Sequence, residues 1–230
     1  MNWFQTANSG TSFYAKAGLF LFLVLAGSVS RAQEFQSWNE VDLTASWRHV
    51  DFLAPFVARI DPAKSNPQLA ASGFTADLPL RWGLTLTPGY LFADLPQGDY
   101  LVHLPLLALT ETTHLRRVTL ADRNRFEKLM GYPGSPVRYR NRLLLDSPFG
   151  SEGRAHVFID DEIFFNLSAA NFNQNRFQAG AGLRLHPRFL LDLYYLQKNP
   201  GSGTPTYVFG STLKVSFTRH ILSTVPTHNP

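Results

Sequence analysis

Between Val157 and Leu185 apolar residues fall two apart. Val157, Ile159, Ile163, Phe165 and Leu167 form one series, with His156, Asp160, Glu162 and Asn166 filling most of its gaps. After a polar break at 171–175, Phe177, Ala179, Ala181, Leu183 and Leu185 alternate with Arg176, Gln178, Gly180, Gly182 and Arg184. A period of two sustained over about ten residues means long strands with one apolar and one polar face. The charged face needs water and the other needs hydrocarbon. Repetition of such segments along a chain is the pattern of a transmembrane β-barrel.

Eleven stretches carry this pattern, at about 38–48, 51–60, 69–80, 82–93, 100–112, 114–128, 137–146, 155–168, 174–186, 188–197 and 206–217. Tight links are predicted near Val50, Trp82, Thr113 and Pro187, and longer Pro- and Gly-rich ones at 61–67, 94–99, 129–136 and 198–205. Short turns on one rim and longer loops on the other are the usual asymmetry of membrane barrels. A soluble barrel of the lipocalin kind would also alternate, but with an apolar inside and a charged outside. The prediction is therefore an all-β chain forming a single transmembrane antiparallel β-barrel of ten to twelve strands. Closed bacterial barrels usually have an even number of strands. Either a further strand is hidden in 33–50 or 69–93 or one of the eleven stretches is not in the wall, and twelve is favoured.

The N-terminus reads as a secretory signal. Lys16 precedes an apolar run from Ala17 to Ala26, and Ser30-Arg31-Ala32 places small residues where a signal peptidase reads them. That run is too short to span about 30 Å of hydrocarbon as a helix. The expected division is a signal peptide at 1–32, an outer-membrane barrel at 33–217 and a tail at 218–230, with the cell outer membrane reached by Sec-type export. Charged residues make up 17% of the chain and cysteine is absent. The charged fraction is below the roughly 25% of an average soluble domain. The lack of cysteine excludes disulfide and thiolate chemistry. Removing Lys16 and Arg31 lowers the formal charge from +4 to +2, nineteen bases against seventeen acids. That is too little to argue for nucleic acid. At the other end Gly210, Leu213, Val215 and Phe217 partly match the signal read by the barrel-assembly machinery, although thirteen residues, Thr218 to Pro230, follow.

Six segments in order carry a family resemblance: Ser37-Trp38-Asn39-Glu40-Val41, Asp122-Arg123-Asn124-Arg125-Phe126-Glu127, Arg140-Asn141-Arg142-Leu143, Asp161-Glu162-Ile163-Phe164-Phe165-Asn166, Asn175-Arg176-Phe177 with Gly180 and Gly182, and Leu193-Tyr194-Tyr195. Together they resemble a family of Gram-negative outer-membrane proteins catalogued only as a domain of unknown function. The resemblance spans about 37–217. It implies an outer-membrane β-barrel and supplies no activity, ligand or catalytic residue.

Arginine is the residue type that most suggests chemistry. Arg123 and Arg125 are two apart on one predicted strand, and Arg138, Arg140 and Arg142 are two apart on the next. Alternation sends each set to one face, expected to be the lumen, together with Asp160, Glu162, Arg176 and Arg184. Stacked guanidiniums would attract carboxylate, sulfate or phosphate. Alternatively Asp160 and Glu162, with Glu40 and Asp42, would neutralise them and fill the interior, as in many small barrels. A third possibility is lipopolysaccharide contact at the rim. Asp122, Asn124, Asn141 and Asp161 fall on the opposite face, which places them near the membrane interface or calls for a bulge.

None of the seven histidines has a ligand spacing, so neither a metal nor another cofactor is expected. Ser147, Ser151 and His156 are close in sequence, at a predicted periplasmic turn. Trp38, Trp47, Trp82, Tyr90, Tyr194, Tyr195 and Phe217 suit interfacial girdles or a sugar-stacking platform. The sequence thus points to a passive pore for small anionic solutes or a filled structural barrel. The alternatives are a membrane-embedded lipid-modifying enzyme and a surface-binding protein using its outer loops. The expected partners are outer-membrane lipid, lipopolysaccharide, the assembly machinery and small anions. Mass spectrometry of protein from isolated outer membranes should find a mature N-terminus at Gln33; a chain retaining Met1 would refute the signal-peptide assignment.

Overall fold

The computed structural model describes residues 34–62, 66–150 and 153–218. The expected signal peptide at 1–32 and all of the expected tail except Thr218 lie outside the described residues. Within them every element is a strand: β1 Glu34–Trp47, β2 Val50–Asp61, β3 Asn66–Pro79, β4 Leu84–Leu95, β5 Tyr100–Leu115, β6 Val118–Lys128, β7 Val137–Phe149, β8 Ala155–Asn166, β9 Asn171–His186, β10 Phe189–Pro200 and β11 Thr206–Ser216. Each strand pairs antiparallel with its sequence neighbour, and β1 closes the barrel on β11.

Among the described residues the wall has eleven strands, all eleven predicted stretches belong to it, and none is added to make twelve. An odd number of alternating strands leaves the first and last pointing the same way, so the closing pair has to be parallel. It runs without a break from Glu34↔Thr206 to Thr44↔Ser216. Side chains add to this seam, with Ser211 Oγ donating to Asn39 Oδ1 at 2.9 Å and Thr44 Oγ1 to the Val215 carbonyl at 3.3 Å.

Tight links of two to four residues at 48–49, 80–83, 116–117 and 187–188 share one rim, and longer links of four to eight residues at 96–99, 129–136, 167–170 and 201–205 share the other. Two expected breaks move. The turn expected near Thr113 sits at Arg116-Arg117, and the polar break expected at 171–175 sits at 167–170, because the Asn-rich segment already pairs as β9. Arg48 and Arg116, each opening a two-residue link, adopt φ of 56° and 59°, the left-handed backbone that such hairpin turns favour.

The outer face is apolar. Leu107, Leu183 and Leu193 are 48%, 50% and 58% exposed there, with Val157, Ile159, Phe126 and Phe209 similarly exposed. It also carries Asp122, Asn124, Asn141 and Asp161. No bulge explains them, because β6 and β7 pair in unbroken register from Thr119↔Asp146 to Lys128↔Val137. They satisfy one another instead. Asn141 Nδ2 donates to Asp122 at 2.5 Å and to Asn124 at 3.2 Å, and Asn175 Nδ2 donates to Asp161 at 2.6 Å.

Inside, large and small residues alternate around the ring. Phe158, Gly180, Tyr194, Gly210 and Trp38 occupy successive paired positions on β8, β9, β10, β11 and β1. A Cβ on Gly180 would lie 2.5 Å from Phe158 Cζ, and one on Gly210 would lie 2.0 Å from Tyr194 Cζ. Each glycine therefore makes room for the ring beside it. Two residues along these strands, Gly182 separates His156 from Asp192, and a Cβ there would lie 1.9 Å from His156 Nε2 and 2.2 Å from Asp192 Oδ1. Without that Cβ the two side chains meet at 2.9 Å over the glycine. Gly182→Val should separate them and cost about 1–3 kcal/mol, as overpacking does. The outward neighbour Ala181→Val should stay within about 0.5 kcal/mol of wild type. Urea titration of the refolded protein, followed by tryptophan fluorescence, separates the two outcomes.

Candidate functional site

The hairpin of β6 and β7 builds the site. Its register sets Arg123 opposite Arg142, Arg125 opposite Arg140 and Glu127 opposite Arg138. All six residues share the inward parity. Directly opposed like charges destabilise a sheet, so two consecutive Arg–Arg rungs need compensation from elsewhere.

Two carboxylates provide much of it. Glu127, 2% exposed, receives Arg125 Nη2 at 2.6 Å, Arg140 Nη1 at 3.5 Å and the Arg138 guanidinium. Glu162 on β8 takes Arg140 in a forked contact, Nε lying 3.0 Å from Oε1 and Nη2 2.9 Å from Oε2, and Arg123 Nη2 lies 3.7 Å from Oε1. Fork-to-fork contact is the strongest form of arginine–carboxylate pairing. Asp160 faces Arg142 and Arg123 through charge, without a direct hydrogen bond.

Aromatic rings support the remaining guanidiniums. Phe164 is fully buried, and Arg176, Arg140 and Arg138 lie 4.3, 4.5 and 5.5 Å from its ring centre. Trp38 lies between Arg59 at 3.8 Å and Arg176 at 5.0 Å. Such stacking contributes about 2 kcal/mol or more when desolvated. With the Gln174 amide turned so that its oxygen faces Arg176, Arg176 Nη2 and Nε donate to it at 2.8 and 3.0 Å.

Positive charge remains in excess. Arg59, Arg123, Arg125, Arg138, Arg140, Arg142 and Arg176 line this stretch of the lumen against Glu127, Asp160 and Glu162, with Glu40 and Asp42 further along β1. The Nε atoms of Arg59, Arg123, Arg125 and Arg142 are buried without a hydrogen-bond partner. Arg184 has inward parity as well, and its Nε is likewise buried and unpartnered, but it lies near the tight-link end of β9, away from the belt.

A second polar group runs along the inner wall of β7–β11 toward the tight-link rim. His156 Nδ1 lies 2.7 Å from Asp146 Oδ2, His156 Nε2 lies 2.9 Å from Asp192 Oδ1, and Lys214 Nζ lies 2.7 Å from Asp192 Oδ2. Ser147 has the outward parity of β7 and His156 the inward parity of β8, so the two do not form a nucleophile–base pair. Ser151 lies outside the described residues. Among the described residues no cluster of His, Cys, Asp or Glu is arranged to hold a metal.

The structure corrects several expectations. Trp38 and Tyr194 belong to the lumen rather than to an outer girdle, whereas Trp47, Trp82, Tyr90 and Phe217 are exposed. Glu127, rather than Asp160, is the acid that gathers Arg125, Arg138 and Arg140. Its position two residues after Arg125 was a parity signal for the same face. The lumen is also less uniformly polar than alternation suggests. Leu69, Leu91, Ala93, Val102 and Leu104 face inward from β3, β4 and β5 as one apolar cluster.

A search of curated proteins yields no match. A family model described as "Protein of unknown function (DUF2490)" matches residues 32–207, from the start of β1 to the first residues of β11, and so covers every arginine of the belt. The chain therefore belongs to the DUF2490 family.

Proposed function

We propose that this protein is an outer-membrane β-barrel whose lumen selects and holds anionic groups on the arginine belt. The observation that carries this reading is the pair of Arg–Arg rungs, Arg123/Arg142 and Arg125/Arg140, facing a lumen cavity of about 960 Å³. Opposed like charges lower stability, and an anion that bridges them relieves the repulsion. An eleven-strand wall lies between barrels filled by side chains and barrels wide enough for an open channel. A narrow, electrostatically selective lumen fits that size. The apolar outer face supports placement in a bilayer, because exposed apolar area on this scale is rare on a soluble monomer.

A filled structural barrel is the second reading. It is favoured by the way Glu127 and Glu162 tie down Arg125, Arg138 and Arg140. Conductance separates the two readings. In planar bilayers with a salt gradient, the wild type should show a small anion-selective current. The double variant Arg123→Glu/Arg142→Glu should shift the reversal potential toward cation selectivity. These two positions are chosen because neither arginine carries the forked contact to Glu162. An unchanged reversal potential in a conducting variant would remove the belt as the filter, and a folded wild type without current would leave the filled barrel.

The bilayer placement has its own test. Leu183→Arg should lose about 2–4 kcal/mol if the residue lies near the midplane, measured by urea titration in liposomes. Full wild-type stability of that variant in liposomes would contradict a lipid-facing outer wall.

A further inference from the structure

We infer that the lumen takes a single-chain amphiphile with an anionic head, the head on Arg123 and Arg142 and the chain along the inner face of β3–β5. This deepens the anion-binding reading and rests on it.

The two halves of the lumen differ in chemistry. On β3, β4 and β5 the inward residues toward the rim of the longer links include Leu69, Leu91, Ala93 and Leu104, and they give way to Thr75, Asp77 and Thr87 toward the other rim. From β6 onward they are mostly arginines, carboxylates and amides. Both halves line the same cavity of about 960 Å³. A path for small hydrated ions gains nothing from an apolar wall, since keeping that surface wet costs about 25 cal/mol per Å². A hydrocarbon chain laid against it removes that term. A largely apolar cavity with a few convergent charged groups is the usual form of a site for an organic ligand.

The geometry also fixes where the head would go. β5 pairs with β6 so that Ala108 faces Arg125 and Thr110 faces Arg123, which puts the edge of the apolar wall beside the arginines. Arg123 keeps 27% of its side chain exposed and has its nearest carboxylate oxygen, on Glu162, at 3.7 Å. The Nε atoms of Arg123 and of Arg142 opposite are buried and unpartnered. A carboxylate or phosphate placed between the two guanidiniums would satisfy both forks.

The apolar wall reaches the rim that bears the longer links. Leu95, Tyr100 and Leu129 pack onto the Ala93–Val102–Leu104 cluster there. The 129–136 link is tied to β5 by reciprocal backbone hydrogen bonds between His103 and Met130 of 2.8 and 2.9 Å. Gly131, at φ 86°, lies so close to β5 that a Cβ would fall 2.3 Å from the Leu101 carbonyl oxygen. An apolar track therefore runs from that rim to the arginine pair.

The test uses Trp38, which lines the same cavity, as reporter in a W3F/W47F/W82F background of the full chain in nanodiscs. The probes are ω-bromoundecanoate, the uncharged ω-bromoundecanol, and bromoacetate, which has the head without the chain. The undecanoate should quench saturably, and the alcohol should bind at least about tenfold more weakly, as expected when a charge-assisted contact is lost. Bromoacetate should neither quench nor compete at matched concentration. Arg123→Gln/Arg142→Gln should bring acid and alcohol to equal affinity. Leu104→Asn should weaken the acid with the head preference intact. Wild-type near-ultraviolet circular dichroism in each variant shows that the barrel has folded. Replacing the carboxylate by ω-bromoundecyl phosphate identifies the source: tighter phosphate binding points to a phosphate-headed single-chain lipid, and tighter carboxylate binding to a free fatty acid. Equal affinity of acid and alcohol in the wild type overturns the inference. So does bromoacetate binding as tightly as the undecanoate, although the anion-binding reading then survives. Absence of saturable quenching by any probe, together with an unselective bilayer current, removes both.

Discussion

Buried carboxylates and guanidiniums have to neutralise one another before the inside of this barrel can pack. Stripping water from a charge costs several kcal/mol, which is recovered only through close, well-oriented partners. Glu127 and Glu162 supply such partners for Arg125, Arg138, Arg140 and Arg123. The interior follows from that arrangement. Phe164 and Trp38 act as flat supports for further guanidiniums, Arg176 and Arg59 among them. The charged half of the lumen is thereby made rigid while a net positive field remains. The apolar half beside it needs no such support and stays open enough to share the cavity.

The outer wall applies the same rule to carboxylates paired with amides. Asp122, Asn124 and Asn141 face outward and make hydrogen bonds across strands, as does the Asp161–Asn175 pair. A polar group paired with its neighbour loses far less on leaving water than an isolated one. These residues are compatible with an otherwise apolar face because each arrives with its partner on the next strand.

Much of this organisation was legible from parity. The two arginine sets share a face because Arg123 and Arg125, and then Arg138, Arg140 and Arg142, are spaced by two. The same counting would have taken Trp38 inside with Glu40 and Asp42, and Tyr194 inside with Asp192. Amphipathic aromatics are common at membrane interfaces, and that habit obscured their parity. Glu127 was obscured in a similar way by its place near a strand end. What parity does not encode is register. That Arg123 meets Arg142, and that His156 meets Asp192 over Gly182, depends on pairings set by links and by neighbouring strands. The strand number was legible as eleven alternating stretches, and only the even count usual in closed barrels favoured twelve; the closing pair was hidden. Nothing local in β1 or β11 states that they join, since that pairing connects residues more than a hundred and fifty positions apart.

The parallel seam makes the barrel a directed object. With ten or twelve strands, the chain would enter and leave through the same mouth. With eleven, β1 starts at the rim of the longer links and β11 finishes at the other. The first residue of β1 and the last residue of β11 therefore lie at opposite mouths, and if the wall sits in a bilayer they face different sides of it. The seam is also the only joint in the ring with no covalent turn across it. Parting it would leave a continuous eleven-strand sheet with every hairpin intact, which makes it the natural place for the ring to be completed during assembly.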